Sequence, residues 1–236
     1  WFINAYKSVA SSVHGYFIGL FYGAKIVLFD FKYSFLITAF VIPQVLHRLI
    51  ENAIIPVFAK EILKQGSYSG IMVGGSNFGE LTGAASVFLT VNCITNFFHW
   101  VRFDAVAVNL MWVFAFIPTS ASTVSLPVSI AMAVMMISVS ASWAAADISL
   151  LAYIHEAIPA HSKDGTYSPL SCVMSFLYSC YILSVAGIGI GVGQALDAFK
   201  RAGQIQYGFF IIFGVFSLIS IFIFVSSFIS QCVCKI

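Results

Sequence analysis

Between Asp104 and Asp147 this chain runs for 42 residues without an Asp, Glu, Lys or Arg. As one helix that run would be roughly 63 Å long, about twice the hydrocarbon thickness of a bilayer. It must therefore fold back, and the sequence marks where. Pro118 and Pro127 flank the Ser/Thr-rich stretch from Thr119 to Ser125. Proline lacks an amide donor, and Ser and Thr compete for backbone hydrogen bonds. The run reads as two helices, 104–121 and 126–157.

Composition explains why so long a run can exist. Of 236 residues 60% are hydrophobic and only 8% charged, and the mean hydropathy is +0.97. Soluble domains need roughly 25% charged residues to cover their surface. The solvent of this chain is lipid, which excludes a soluble enzyme and a disordered segment. A net charge of +2 with no basic stripe excludes a nucleic-acid binder. The five cysteines lie in or beside apolar runs, so neither a disulfide framework nor a metal site of paired cysteines is expected, and no cofactor. Cys232 and Cys234, beside Lys235, offer an acylation site but read more simply as small apolar residues.

A charge at the bilayer centre costs about 2.5 kcal/mol or more, so charges punctuate the remaining spans: 33–58, 68–95, 168–196 and 205–231. With the two helices above, the expected fold is all-α: a polytopic bundle of six membrane-spanning helices over residues 31–236. A loop is expected from Asn96 to Asp104 and another from His161 to Thr166. Residues 1–30, where Lys7, His14 and Lys25 interrupt an apolar periodicity, read as an interfacial helix, with a seventh span over 12–29 as the alternative. The chain starts at Trp1 without a leader pattern, so it is expected to be part of a longer polypeptide. Six basic residues against four place the amino-terminal side in the cytoplasm.

Ionisable residues inside such a bundle are the informative minority. Gln44, Arg48, Glu51 and Asn52 share one face of the first span, with His47 beside them, below an expected kink at Pro43. Arg48 and Glu51, three residues apart, can also neutralise each other as an inert pair. On the second span Gly75, Gly79 and Gly83 form a GxxxGxxxG ridge that admits a close helix neighbour. Beside it are Asn77 and Glu80. An acid there must be paired, protonated or hydrated, which suits either proton coupling or a fixed hydrogen bond between helices. Trp143 and Asp147, four apart, place an aromatic wall and an acid on one face of the fourth span. Gly187, Gly189, Gly191 and Gly193 give the fifth span pairs at spacing four, read as tight packing or a bending helix. The third span offers only Asn109, and the sixth has no ionisable residue.

Polar residues on spans one, two and four, glycines on two and five, and bland spans three and six make residues 30–231 resemble the carboxy-terminal half of a major facilitator superfamily transporter. The resemblance implies that spans one and four line a central cavity, two and five meet an amino-terminal six-helix half of the same polypeptide, and three and six lie outside. The family's loop motif, a glycine followed by an Asp-Arg pair, would fall after span two. Only Arg102 and Asp104 offer charges there.

The expected function is secondary active transport of a small solute by alternating access. Arg48 would attract the solute, Gln44, Asn52 and Asn77 would orient it, and Trp143 would stack on it. Glu51, Glu80 or Asp147 would carry a coupling proton. The alternative is a non-transporting multi-pass protein, a receptor or assembly subunit of the same fold. An intramembrane enzyme is not expected, because His47 lacks a serine partner and the acids lie on different helices.

Overall fold

The computed structural model describes residues 2–94, 96–158 and 168–234, with the side chains of 2–11, 119, 233 and 234 outside that description. The expected loop from His161 to Thr166, Lys235, and the side chains of Lys7 and Cys234 therefore fall outside the described residues.

Among the described residues every regular element is helical. α1 spans Phe2–Phe29. A broken helix follows: π-helical Ile37–Val41, α2 (Ile42–Leu49), π-helical Ile50–Ile54 and α3 (Ile55–Glu61). Then come α4 (Tyr68–Thr90) and α5 (Phe97–Ala107), which continues through a 3-10 turn, Val108–Met111, into α6 (Trp112–Phe116). A second 3-10 turn, Thr119–Val124, leads to α7 (Ser125–Ala157), α8 (Pro169–Arg201) and α9 (Ile205–Cys234). Among the described residues four stretches are long and apolar enough to cross a membrane: Ser12–Phe29, Ser120–Ala157, Pro169–Arg201 and Ile205–Cys232. They mark the chain as an integral, multi-pass membrane protein.

Two sequence boundaries are corrected. Asn96 to Asp104 is not a loop: Asn96 caps α5, its Oδ1 accepting from the Phe98 amide at 3.0 Å. Phe97, Phe98, Val101, Asp104 and Ala105 then form the buried face of that helix. Pro118 does end a helix, but Pro127 lies in the first turn of α7, where its missing amide leaves no bond unmade. Residues 12–29 answer better to a spanning helix than to an interfacial one. Lys25 is the single Asp, Glu, Lys or Arg in that stretch, and α1 packs lengthwise on α8.

The broken helix follows from its prolines. Each π-helical segment ends two residues before a proline, Val41 before Pro43 and Ile54 before Pro56. A proline ring clashes with the carbonyl four residues earlier, and a widened turn moves that carbonyl aside without ending the helix. His47, Arg48 and Glu51 sit between or within these widened turns.

Packing is closest where side chains are absent. A Cβ at Gly75, Gly79 or Gly83 would lie 2.2 Å from the Ala133 oxygen, 2.5 Å from the Ile137 oxygen or 2.2 Å from the Ala141 oxygen, so α4 and α7 run backbone against backbone. Gly23 of α1 meets α8 in the same way at Cys172. Gly187 and Gly191 do not act so: no atom lies within 4 Å of a Cβ at either, and Gly191 lines an open apolar groove between α8, α2 and α9 instead of a close helix contact. The α8–α9 reversal is a Schellman turn on Gly203, at φ 68°, with the Gln204 amide bonded to the Phe199 carbonyl at 2.8 Å.

α5 and α9 are joined by Arg102, which donates to Ser227 Oγ at 2.9 Å and to Gln231, its guanidinium 3.6 Å from the Phe228 ring centre. Arg102→Leu is expected to cost about 1–2 kcal/mol, read as a melting temperature a few degrees lower in detergent. Below these contacts Phe58, Phe114, Phe209 and Phe213 close the core, while Leu81, Leu89, Leu183 and Leu218 cover the outside.

Candidate functional site

Three helices bring their polar residues to one place near mid-length. α2 and the π-helical segment after it supply Gln44, His47, Arg48 and Glu51. α4 supplies Ser76 and Glu80, and α7 supplies Ser140, Trp143 and Asp147. The glycine ridge sets the register: Gly79 leaves room for the Ser140 side chain, whose Cβ would lie 2.9 Å from a Cβ at position 79.

Glu51 is the hub, only 5% exposed. Arg48 Nη1 donates to its Oε2 at 2.7 Å, and Ser76 Oγ donates to its Oε1 at 2.5 Å. Ser76 has one proton and spends it on Glu51, so the 2.7 Å contact between Ser76 and Ser140 has Ser140 as donor. A directed chain thus runs from α7 through α4 to Glu51. Burying Glu51 is tolerable because both of its carboxylate oxygens accept a hydrogen bond.

His47 lies on the other side of Glu51, 3% exposed, its ring stacked on Trp143 at 4.1 Å and 5°. Its Nε2 stands 3.4 Å from Glu51 Oε1 and 3.4 Å from Glu80 Oε1. Among the described residues neither ring nitrogen makes a hydrogen bond, nor does Glu80 Oε1 or Trp143 Nε1. Arg48 also lies over Trp143, 5.7 Å from its ring centre. Behind this group His47, Trp143 and Asp104 line a void of about 10 Å³, on the order of one water. Ser142 stands 3.2 Å from Asp104 but donates at 2.7 Å to the Val139 carbonyl.

The structure therefore assembles most of the residues singled out from sequence. Gln44 is buried and donates to Asp147 at 2.7 Å. Arg48, Glu51, Glu80 and Trp143 meet around His47. Asn52 and Asn77 do not join them; both are exposed and make no hydrogen bond among the described residues. The acids do lie on different helices, and the fold still brings Glu51 and Glu80 to one imidazole.

Sequence reasoning gave no role to Ser76 or Ser140, set His47 only beside the polar face, and took Asp104 only as a loop charge. His47 and Glu51 at spacing four were the available signal, as was the periodicity that buries Asp104. Arg102 and Asp104 do not act together: one faces α9, the other the His47 void. Concavity alone would have chosen elsewhere, because a cavity of about 730 Å³ lined by Val45, Leu49, Ile188, Ile212 and Phe216 includes no member of the cluster. No protein-family model, curated protein or solved structure matches this chain.

Proposed function

We propose that this chain is the carboxy-terminal half of a secondary active transporter of the major facilitator type, moving a small solute by alternating access. In this reading six helices after α1 span the membrane: 37–61, α4, 97–116, α7, α8 and α9. The observation that carries it is the cluster around Glu51. A buried, hydrogen-bonded group of charges at mid-length of an otherwise apolar bundle is costly, and membrane proteins keep such groups where ions or solutes pass.

Packing supports the reading. α4 lies on α7, α2 on α8, and α5 on α9. With the six helices numbered in order these pairs are two with four, one with five and three with six, the pairing expected of two inverted three-helix repeats. Arg48, the half-exposed member of the ion pair, would face the solute beside Trp143.

Asp147 is the acid best placed to carry a coupling proton, because its partner Gln44 is neutral and no ion pair breaks when it is protonated. Asp147→Asn is expected to abolish the stimulation of uptake by a pH gradient in proteoliposomes of the full polypeptide. An unchanged response would remove proton coupling at this residue.

One observation favours the non-transporting alternative: Arg48 and Glu51 already pair at 2.7 Å. Under that reading Arg48→Gln leaves the protein's cellular role intact, whereas a transporter loses uptake.

A further inference from the structure

We propose that His47, Glu51 and Glu80 form a binding site for a divalent first-row transition-metal cation. The inference rests on the transport reading only for placing the cluster inside the membrane; metal binding itself is independent of transport.

The argument begins with a distance. A charge-assisted hydrogen bond from a protonated imidazole to a carboxylate closes to about 2.7–2.9 Å. His47 Nε2 instead stands at 3.4 Å from both Glu51 Oε1 and Glu80 Oε1. That is the edge of a coordination tetrahedron: ligand atoms about 2.0–2.1 Å from one metal ion lie roughly 3.4 Å apart. The three ligand atoms all fall within 4.8 Å of one another.

A second observation concerns hydrogen bonding, not distance. His47 is 3% exposed, yet neither of its ring nitrogens makes a hydrogen bond, and Glu80 Oε1 is buried without one as well. Buried polar atoms are nearly always satisfied, and a cation between them satisfies Nε2 and Glu80 together.

The surroundings suit a metal site. Arg48 holds the other oxygen of Glu51, Oε2, at 2.7 Å, and Ser76 donates to Oε1 itself at 2.5 Å, leaving that oxygen's second lone pair for the metal; together they fix the carboxylate as outer partners do for ligating groups. The His47 ring is fixed by stacking on Trp143. Asp104 lines the water-sized void behind the imidazole, where a carboxylate can orient the ligand through one water. Two carboxylates against one arginine leave a negative balance that a divalent ion reverses. One imidazole and two carboxylates favour zinc, manganese, iron or cobalt over magnesium and calcium, which take oxygen alone. The Glu80 side chain is 31% exposed, so the site has an entrance.

The full chain, purified in detergent and stripped with chelator, is titrated calorimetrically with Zn²⁺ and Mn²⁺, with Mg²⁺ as the control. One equivalent of Zn²⁺ or Mn²⁺ is expected to bind, about 100-fold more weakly in His47→Gln and in Glu80→Gln. The metal should raise the melting temperature of the wild type and not of the variants. Glu80→Gln decides if His47→Gln fails to fold, because Glu80 lies outside the serine chain. No binding, or equal binding by the variants, overturns the site. So does a nitrogen NMR spectrum showing His47 doubly protonated in the presence of metal. Absence of metal binding leaves the transport reading standing, and loss of uptake in a metal-binding chain leaves the site standing.

Discussion

Gly79→Leu is expected to leave almost no correctly folded protein. A Cβ at that position falls 2.5 Å from the Ile137 carbonyl oxygen, 2.9 Å from Ile137 Cα and 2.9 Å from Ser140 Cβ. Two of those atoms are backbone, so the clash is relieved only by moving α4 off α7. Overpacking by one or two methylenes already costs about 1–3 kcal/mol. A leucine against a rigid backbone should exceed about 4 kcal/mol, the size of change that unfolds a marginal protein. The control is Gly74→Leu, five residues earlier on the same helix, where nothing lies within 4 Å of an added Cβ. Monodispersity and thermal unfolding in detergent should separate the two variants cleanly. The clash also parts Ser76 from Ser140, so any residual folded protein should lose the Glu51 chain.

Glu51→Ala is the second large effect. It removes the acceptor for Ser76 and the counter-charge of Arg48, both inside the bundle. Breaking a buried ion pair from one side costs about 3–5 kcal/mol, because the surviving charge keeps its desolvation penalty. Arg48 is 36% exposed and can turn toward solvent, which places the expected loss near the lower end, about 3 kcal/mol. Glu51→Ala/Arg48→Ala should be more stable than Glu51→Ala, since it leaves no orphaned charge. The measurement is a double-mutant cycle on thermal stability. A double variant less stable than either single one would contradict the assignment of Glu51 as the hub.

Much of the architecture was legible because charges punctuate an apolar chain. The run between Asp104 and Asp147 had to break, and it breaks at Pro118. The glycine ridge of α4 was legible for a similar reason, since spacing four aligns small residues on one helix face. Reading failed where a charge is satisfied by another helix. The charges Arg102 and Asp104 fall in 96–104, read as a loop, yet Arg102 bonds α9 and Asp104 is buried beside α7. Gly187 and Gly191 have the spacing of a packing ridge, but periodicity does not say whether a neighbouring helix comes close enough to use it.

The site was half legible for the same reason. Arg48 and Glu51 stood out on one helix, and Glu80 and Asp147 stood out alone. Nothing in one dimension shows that Ser76 and Ser140 link them, because that depends on how α4 is rotated against α7. The widened turn Ile50–Ile54 also shifts the helix register between Arg48 and Asn52, so the face deduced for Asn52 is not the one it occupies.

The central claim is that the middle of this bundle opens alternately to the two sides of a membrane. Asn77 is the position to probe: exposed, one turn from Glu80, and without a hydrogen bond to lose. Asn77→Cys, in the full polypeptide with its native cysteines replaced, is reconstituted in sealed vesicles and treated with a membrane-impermeant thiol reagent from each side in turn. Labelling from both sides is the predicted result. Labelling from one side only, or from neither, would contradict alternating access.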